Sequence, residues 1–94
     1  MKQHQYRVTL EYLADADNNP VNVAPLQFSA PNHDDILAII GKMSSRSELS
    51  QTDVARFVVG LKLMSEVMLE NRDDPLFSAL KPHFSAFMQA LKQR

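Results

Sequence analysis

Cysteine and tryptophan are both absent from this 94-residue chain. Without a thiol there is no disulfide staple, no thiolate nucleophile and no cysteine-held zinc or iron–sulfur cluster, so a secreted disulfide scaffold is excluded. Glycine occurs only at Gly41 and Gly60, too sparsely to build a phosphate-cradling loop or a dinucleotide fingerprint. An excess of positive charge is also lacking. The formal net charge is −1 and the Lys and Arg residues are scattered, which leaves no basic footprint for nucleic acid. No apolar run approaches a membrane span. The opening Met1-Lys2-Gln3-His4-Gln5-Tyr6 carries one basic residue and no apolar stretch behind it, so neither a membrane partner nor a secretory leader is expected. The simplest address is the cytoplasm.

What the chain does have is an ordinary globular composition, 45% hydrophobic and 22% charged, which supports folding rather than disorder. Its length fits one domain over residues 1–94. A chain of this size buries only roughly 60–65% of the surface its unfolded form exposes, so association with a second copy would add to its stability.

From Gln5 to Leu13, Tyr6, Val8, Leu10 and Tyr12 alternate with Arg7, Thr9 and Glu11, the period of a half-buried strand. Asp15-Ala16-Asp17-Asn18-Asn19-Pro20 is rich in turn formers and predicts a hairpin connection. Beyond it Val21 and Val23 share one phase while Leu26, Phe28 and Ala30 share the other. A bulge near Ala24-Pro25 reconciles the two halves.

The rest reads as helix. A first helix begins near Asn32 as cap, with Asp34 and Asp35 in its first turn, and runs to about Met43 with Ile36, Leu37, Ile40 and Met43 on its buried stripe. Ser50 and Asp53 have capping-box spacing and open a second, central helix whose inner face holds Val54, Phe57, Val58, Leu61, Met64, Val67 and Met68. Asp74 and Pro75 supply cap and first position of a third segment. Pro82 then predicts a break, giving a short turn, a kink and a final helix. The expected architecture is α+β, an N-terminal β-hairpin followed by three or four helices packed on one face of the sheet. The expected core is Val8, Leu10, Phe28, Ile36, Ile40, Phe57, Leu61, Met64, Met68, Phe77, Phe84 and Leu91.

The strand Tyr6-Arg7-Val8-Thr9-Leu10-Glu11, the stretch from Val59 to Leu69, and Asp74-Pro75-Leu76-Phe77 with Phe84 and Phe87 resemble a family of small bacterial proteins known only as a domain of unknown function. The resemblance spans nearly the whole chain. It implies a compact bacterial module and carries no activity, cofactor or catalytic residue with it.

Several short patterns invite a chemical reading and fail on their context. Asp15, Asp17 and Asn19 have the spacing of the first three ligands of a calcium loop, but Pro20 stands where the loop needs glycine and Leu26 where it needs a bidentate Glu. A plain hairpin turn explains them. His33, Asp34 and Asp35 are adjacent and point apart on a helix, and His4 and His83, the other imidazoles, form no ligand pair. Helix-start electrostatics accounts for the two aspartates. Ser78-Ala79-Leu80-Lys81 satisfies S-x-x-K without the companion elements of penicillin-recognising enzymes, and helix–turn–helix is disfavoured by the long link from Ser44 to Leu49. No metal, cofactor or catalytic set is therefore expected.

Three function classes are ranked, the last an enzyme for which His33 with Asp34 and Asp35 are the least poor candidates. The first is a non-catalytic protein-interaction or accessory module, because core and surface are present without a convergent catalytic set. The second is a small-ligand-binding protein with an apolar pocket lined by Met43, Met64, Met68, Met88, Phe57, Phe77, Phe84 and Phe87. Partner expectations follow from the hairpin, since two strands alone are marginal and a third must extend the sheet. Strand one has regular alternation and no proline, so its edge residues Tyr6, Arg7, Val8, Thr9, Leu10, Glu11 and Tyr12 are the expected homodimer interface. An antiparallel two-fold at Thr9 sets Arg7 opposite Glu11, Val8 opposite Leu10 and Tyr6 opposite Tyr12. A further, unidentified protein partner is compatible with the same reading.

Overall fold

A computed structural model describes residues 2–93. The alternating N-terminal segment forms β1 at Arg7–Leu10, and the segment after the proline-containing slip forms β2 at Leu26–Ser29. They make an antiparallel two-stranded sheet that pairs Arg7 with Ser29, Val8 with Phe28, Thr9 with Gln27 and Leu10 with Leu26. The register continues outward from Arg7. The Ala30 N–H donates to Tyr6 O at 2.9 Å, and His4 and Asn32 exchange N–H···O bonds at 2.7 and 3.0 Å.

Toward the hairpin tip the pairing resumes between Ala14 and Pro20. Four positions separate Leu10 from Ala14 whereas six separate Pro20 from Leu26, so the second strand carries a surplus of two residues. That surplus lies between Val21, whose N–H still donates to Leu13 O, and Leu26. The turn itself is organised by Asp15, whose Oδ1 accepts the N–H groups of Asp17 and Asn19 at 3.0 and 2.9 Å. These bonds hold its carboxyl below the ordinary value, and Asn18 supplies the left-handed residue at φ 67°.

Three helices follow, α1 at Ile36–Ser44, α2 at Gln51–Glu70 and α3 at Pro75–Lys92. The α+β architecture is the one expected from the sequence, with strand one shorter than the Gln5–Leu13 alternation suggests and two helical details changed. First, α1 starts later than the composition suggests. Asp35 is its N-cap and accepts the Ala38 N–H at 3.1 Å, while Asp34 lies outside the helix. The cause is Asn32, whose side chain accepts the Asp34 N–H at 2.9 Å and donates to Lys62 O at 3.0 Å, pinning 32–34 as a turn.

Secondly, α3 runs unbroken through Pro82 instead of dividing there. Proline removes a single helical hydrogen bond and crowds the preceding turn, and Asp74 with Pro75 gives the helix a sound start before that point. The Leu76 N–H meets Asp74 Oδ1 at 2.9 Å. Ser50 likewise caps α2, its hydroxyl accepting the Asp53 N–H at 3.1 Å. Asp53 spends its own carboxylate on Arg56, 3.2 Å away on the exposed face.

Contacts divide the chain into one unit ending at Leu63 and another beginning at Met64, within α2. In the first unit Ile36 of α1 and Val54 and Val58 of α2 form the buried centre. Tyr6, Ile39, Ile40, Met43, Phe57 and Val59 pack around it, which ties β1 to the helices through its N-terminal end. In the second, α3 has no fully buried residue, and Phe77, Phe84, Met88 and Leu91 are half-buried along one stripe.

The core differs from expectation at Leu10, Phe28 and Met64, which are 64%, 43% and 41% exposed. Every residue of β2 is exposed, and Tyr6, just before β1, packs on the helical core. On α2 the buried line passes through Val54, Val58, Leu61 and Met68. Met64 lies at its margin, and Glu66 is buried in α2 as well.

Candidate functional site

The strand-one edge is built by the hairpin register. In an antiparallel ladder, residues alternate between pairs that exchange backbone bonds across it and pairs whose N–H and C=O point away. His4 and Tyr6 bond toward the second strand. By that alternation Val8 and Leu10 also face β2, while Arg7 and Thr9 turn their backbone groups to the outer edge of β1, and Glu11 lies one residue beyond the end of the strand. No third strand occupies that edge among the described residues.

The side chains of Arg7, Thr9 and Glu11 are exposed as well. Among the described residues neither Arg7 nor Glu11 lies within ion-pair distance of an opposite charge. On the other face of the strand, exposure rises along the chain. Tyr6 and Val8 are half-buried at the helical end, whereas Leu10 and Tyr12 are exposed. Of the seven expected interface residues, the structure therefore places Arg7 and Thr9 on an open edge and Glu11 one residue past it. It splits the four apolar ones between a covered and an uncovered half.

A second cluster joins residues that the sequence leaves apart. The His4–Asn32 pair at the foot of the hairpin brings His4 near Asp34, and Lys62 reaches the same carboxylate from α2. Asp34 Oδ2 lies 3.0 Å from Lys62 Nζ and 3.4 Å from His33 Nε2. Burial pushes the Asp34 carboxyl up, but the Lys62 hydrogen bond and charge, with the charges of His33 and His4, outweigh it. The result lies below the ordinary value of 3.8.

Around this ion pair the polar groups are paired. Tyr6 Oη accepts the Ile36 N–H at 2.9 Å and donates to Asp34 O at 3.4 Å, and the buried Asn32 uses both ends of its amide. The arrangement ties strand, turn and α2 together. It offers no open nucleophile, and among the described residues no group of three or more His, Asp or Glu is placed to hold a metal ion.

The expectation that Asp34 serves the first turn of α1 is corrected here, because its carboxylate is engaged by Lys62 and lies before the cap. The usable signal was the strand period itself, since extending the Tyr6–Tyr12 alternation back to His4 puts His4 on the Tyr6 face. Nothing in local spacing marks Lys62 as the partner of a residue 28 positions earlier. Of the methionine and phenylalanine residues considered as a pocket lining, Met68 is buried, and Met64 and Phe87 are exposed.

No helix of the described residues is long and apolar enough to cross a membrane. No curated protein matches the chain. Among solved structures it is similar to a protein of unknown function from Pectobacterium atrosepticum, 31% identical, covering 99% of this chain and 100% of that one with a TM-score of 0.85. Residues 4–93 match the family described as a domain of unknown function, DUF3861. The chain belongs to the DUF3861 family.

Proposed function

We propose that this chain is a non-catalytic interaction or accessory module of the bacterial cytoplasm that acts as a homodimer joined through β1. The observation that carries the reading is the open outer edge of β1 at Arg7 and Thr9, with Glu11 just beyond it and, among the described residues, no ion-pair partner for Arg7 or Glu11. An uncovered edge of this kind is a template for another strand. A two-fold axis at Thr9 satisfies it with the same surface from both chains, since Arg7 of each then meets the partner's Glu11. The bacterial setting is supported by the similarity to the Pectobacterium atrosepticum protein.

Sedimentation equilibrium of the native chain at micromolar concentration tests the dimer, and a monomer throughout would refute it. Given a dimer, Arg7→Glu and Glu11→Arg should each weaken it by setting like charges opposite one another, and the double reversal should restore it. Two harmless single reversals would place the interface elsewhere.

A further inference from the structure

We infer that Leu10, the exposed last residue of β1, and Tyr12, exposed just beyond it, are covered by the helices of the second copy, so that each chain completes the other's core. The inference rests on the homodimer reading above and adds what that dimer buries.

The argument is one of register and exposure. Cross-strand partners in an antiparallel pair point to the same side of the sheet, with Cβ atoms about 4.5–5.5 Å apart. The two-fold at Thr9 therefore sets Leu10 beside the partner's Val8 and, with the alternation carried on, Tyr12 beside the partner's Tyr6. Within one chain those two positions differ sharply from their counterparts. Tyr6 and Val8 are half-buried, and Tyr6 packs against Ile36, Val54 and Val58, whereas Leu10 is 64% and Tyr12 54% exposed.

Symmetry then brings the bare end of each strand to the roofed end of the other. Both copies present their helices on the same side, because an axis through Thr9 normal to a continuous sheet preserves its faces. Leu26, directly across from Leu10 on β2 and exposed, extends the same apolar strip one strand further from the axis. The charge pairing of Arg7 with Glu11 belongs to the opposite face. Register, charge and the open apolar half-face thus specify one occupant, a second copy of this chain.

The lack of native cysteine makes thiol protection a direct test. Leu10→Cys and, as a second variant, Tyr12→Cys are labelled with a water-soluble maleimide at chain concentrations above and below the dimer dissociation constant. Gln27→Cys, on the other face of the sheet, is the control. Sedimentation of each variant fixes its oligomeric state in the same buffer. The expected result is labelling slowed at least about tenfold in the dimer for Leu10→Cys or Tyr12→Cys, with Gln27→Cys unaffected, because thiol reactivity follows access. Dimeric variants in which both thiols react at the monomer rate would overturn the inference while leaving the dimer standing. A native chain that stays monomeric would overturn both.

Discussion

The phenolic oxygen of Tyr6 accepts the backbone N–H of Ile36 at 2.9 Å. Ile36 is the first residue of α1, and its N–H is one of the donors that a helix start leaves without an intrahelical partner. A strand residue thereby caps a helix, and the same ring packs on the helical core. Tyr6→Phe keeps the ring and strands the Ile36 donor, so it should lower stability by about 1–2 kcal/mol. A urea titration at fixed chain concentration checks this, with the midpoint falling at unchanged slope. An unchanged midpoint would mean that water replaces the hydroxyl without cost.

The Asp34–Lys62 pair predicts a limb of acid sensitivity. Because the folded carboxyl lies below its ordinary value of 3.8, the folded state favours the charged form. That contribution is present above the unfolded pKa and is lost as pH falls through the folded one. Asp34→Asn and Lys62→Met should each cost about 1 kcal/mol near neutral pH and progressively less below about pH 4, where the native pair also fails. Urea midpoints from pH 2 to 7 test the sign. A difference that widens in acid would contradict it.

The third helix allows a paired test of its start and its interior. Asp74→Ala removes the oxygen that accepts the Leu76 N–H and should destabilise by about 0.5–2 kcal/mol, more than Asn71→Ala. Pro82→Ala should act the other way. It restores the N–H that α3 lacks at that position and should stabilise by roughly 1–3 kcal/mol. Thermal melts of the variants decide both, and a destabilising Pro82→Ala would show that the proline is favoured by its surroundings.

Local signals carried much of this fold. The alternation around Val8, the turn at Asp15, the caps at Ser50 and Asp74 and the stripe through Val54, Val58 and Leu61 all depend on neighbours within a few residues. Where the sequence misled, a distant residue intervened. Asn32 carries the composition of a helix cap and instead binds the carbonyl of Lys62, thirty positions on, which delays α1 to Ile36. The core assignment of Leu10 and Phe28 followed from periodicity alone, and periodicity states which face is apolar without stating how far the helical cover extends. On the candidate interface, the alternation of Arg7 and Glu11 was legible. The outward direction of the Thr9 backbone required the pairing partners of His4 and Tyr6.

The central claim is that strand one meets its own copy across a two-fold at Thr9. In that arrangement the two Thr9 residues form a backbone-bonded pair with Cα atoms about 5.5 Å apart, a separation that a disulfide spans without strain. Thr9→Cys introduces one exposed thiol into a chain that has none. Under mild oxidation at micromolar concentration, Thr9→Cys should run as a covalent dimer on a non-reducing gel, with Gln27→Cys remaining monomeric. A Thr9→Cys chain that stays monomeric under those conditions, while sedimentation shows it to be folded, would contradict the account.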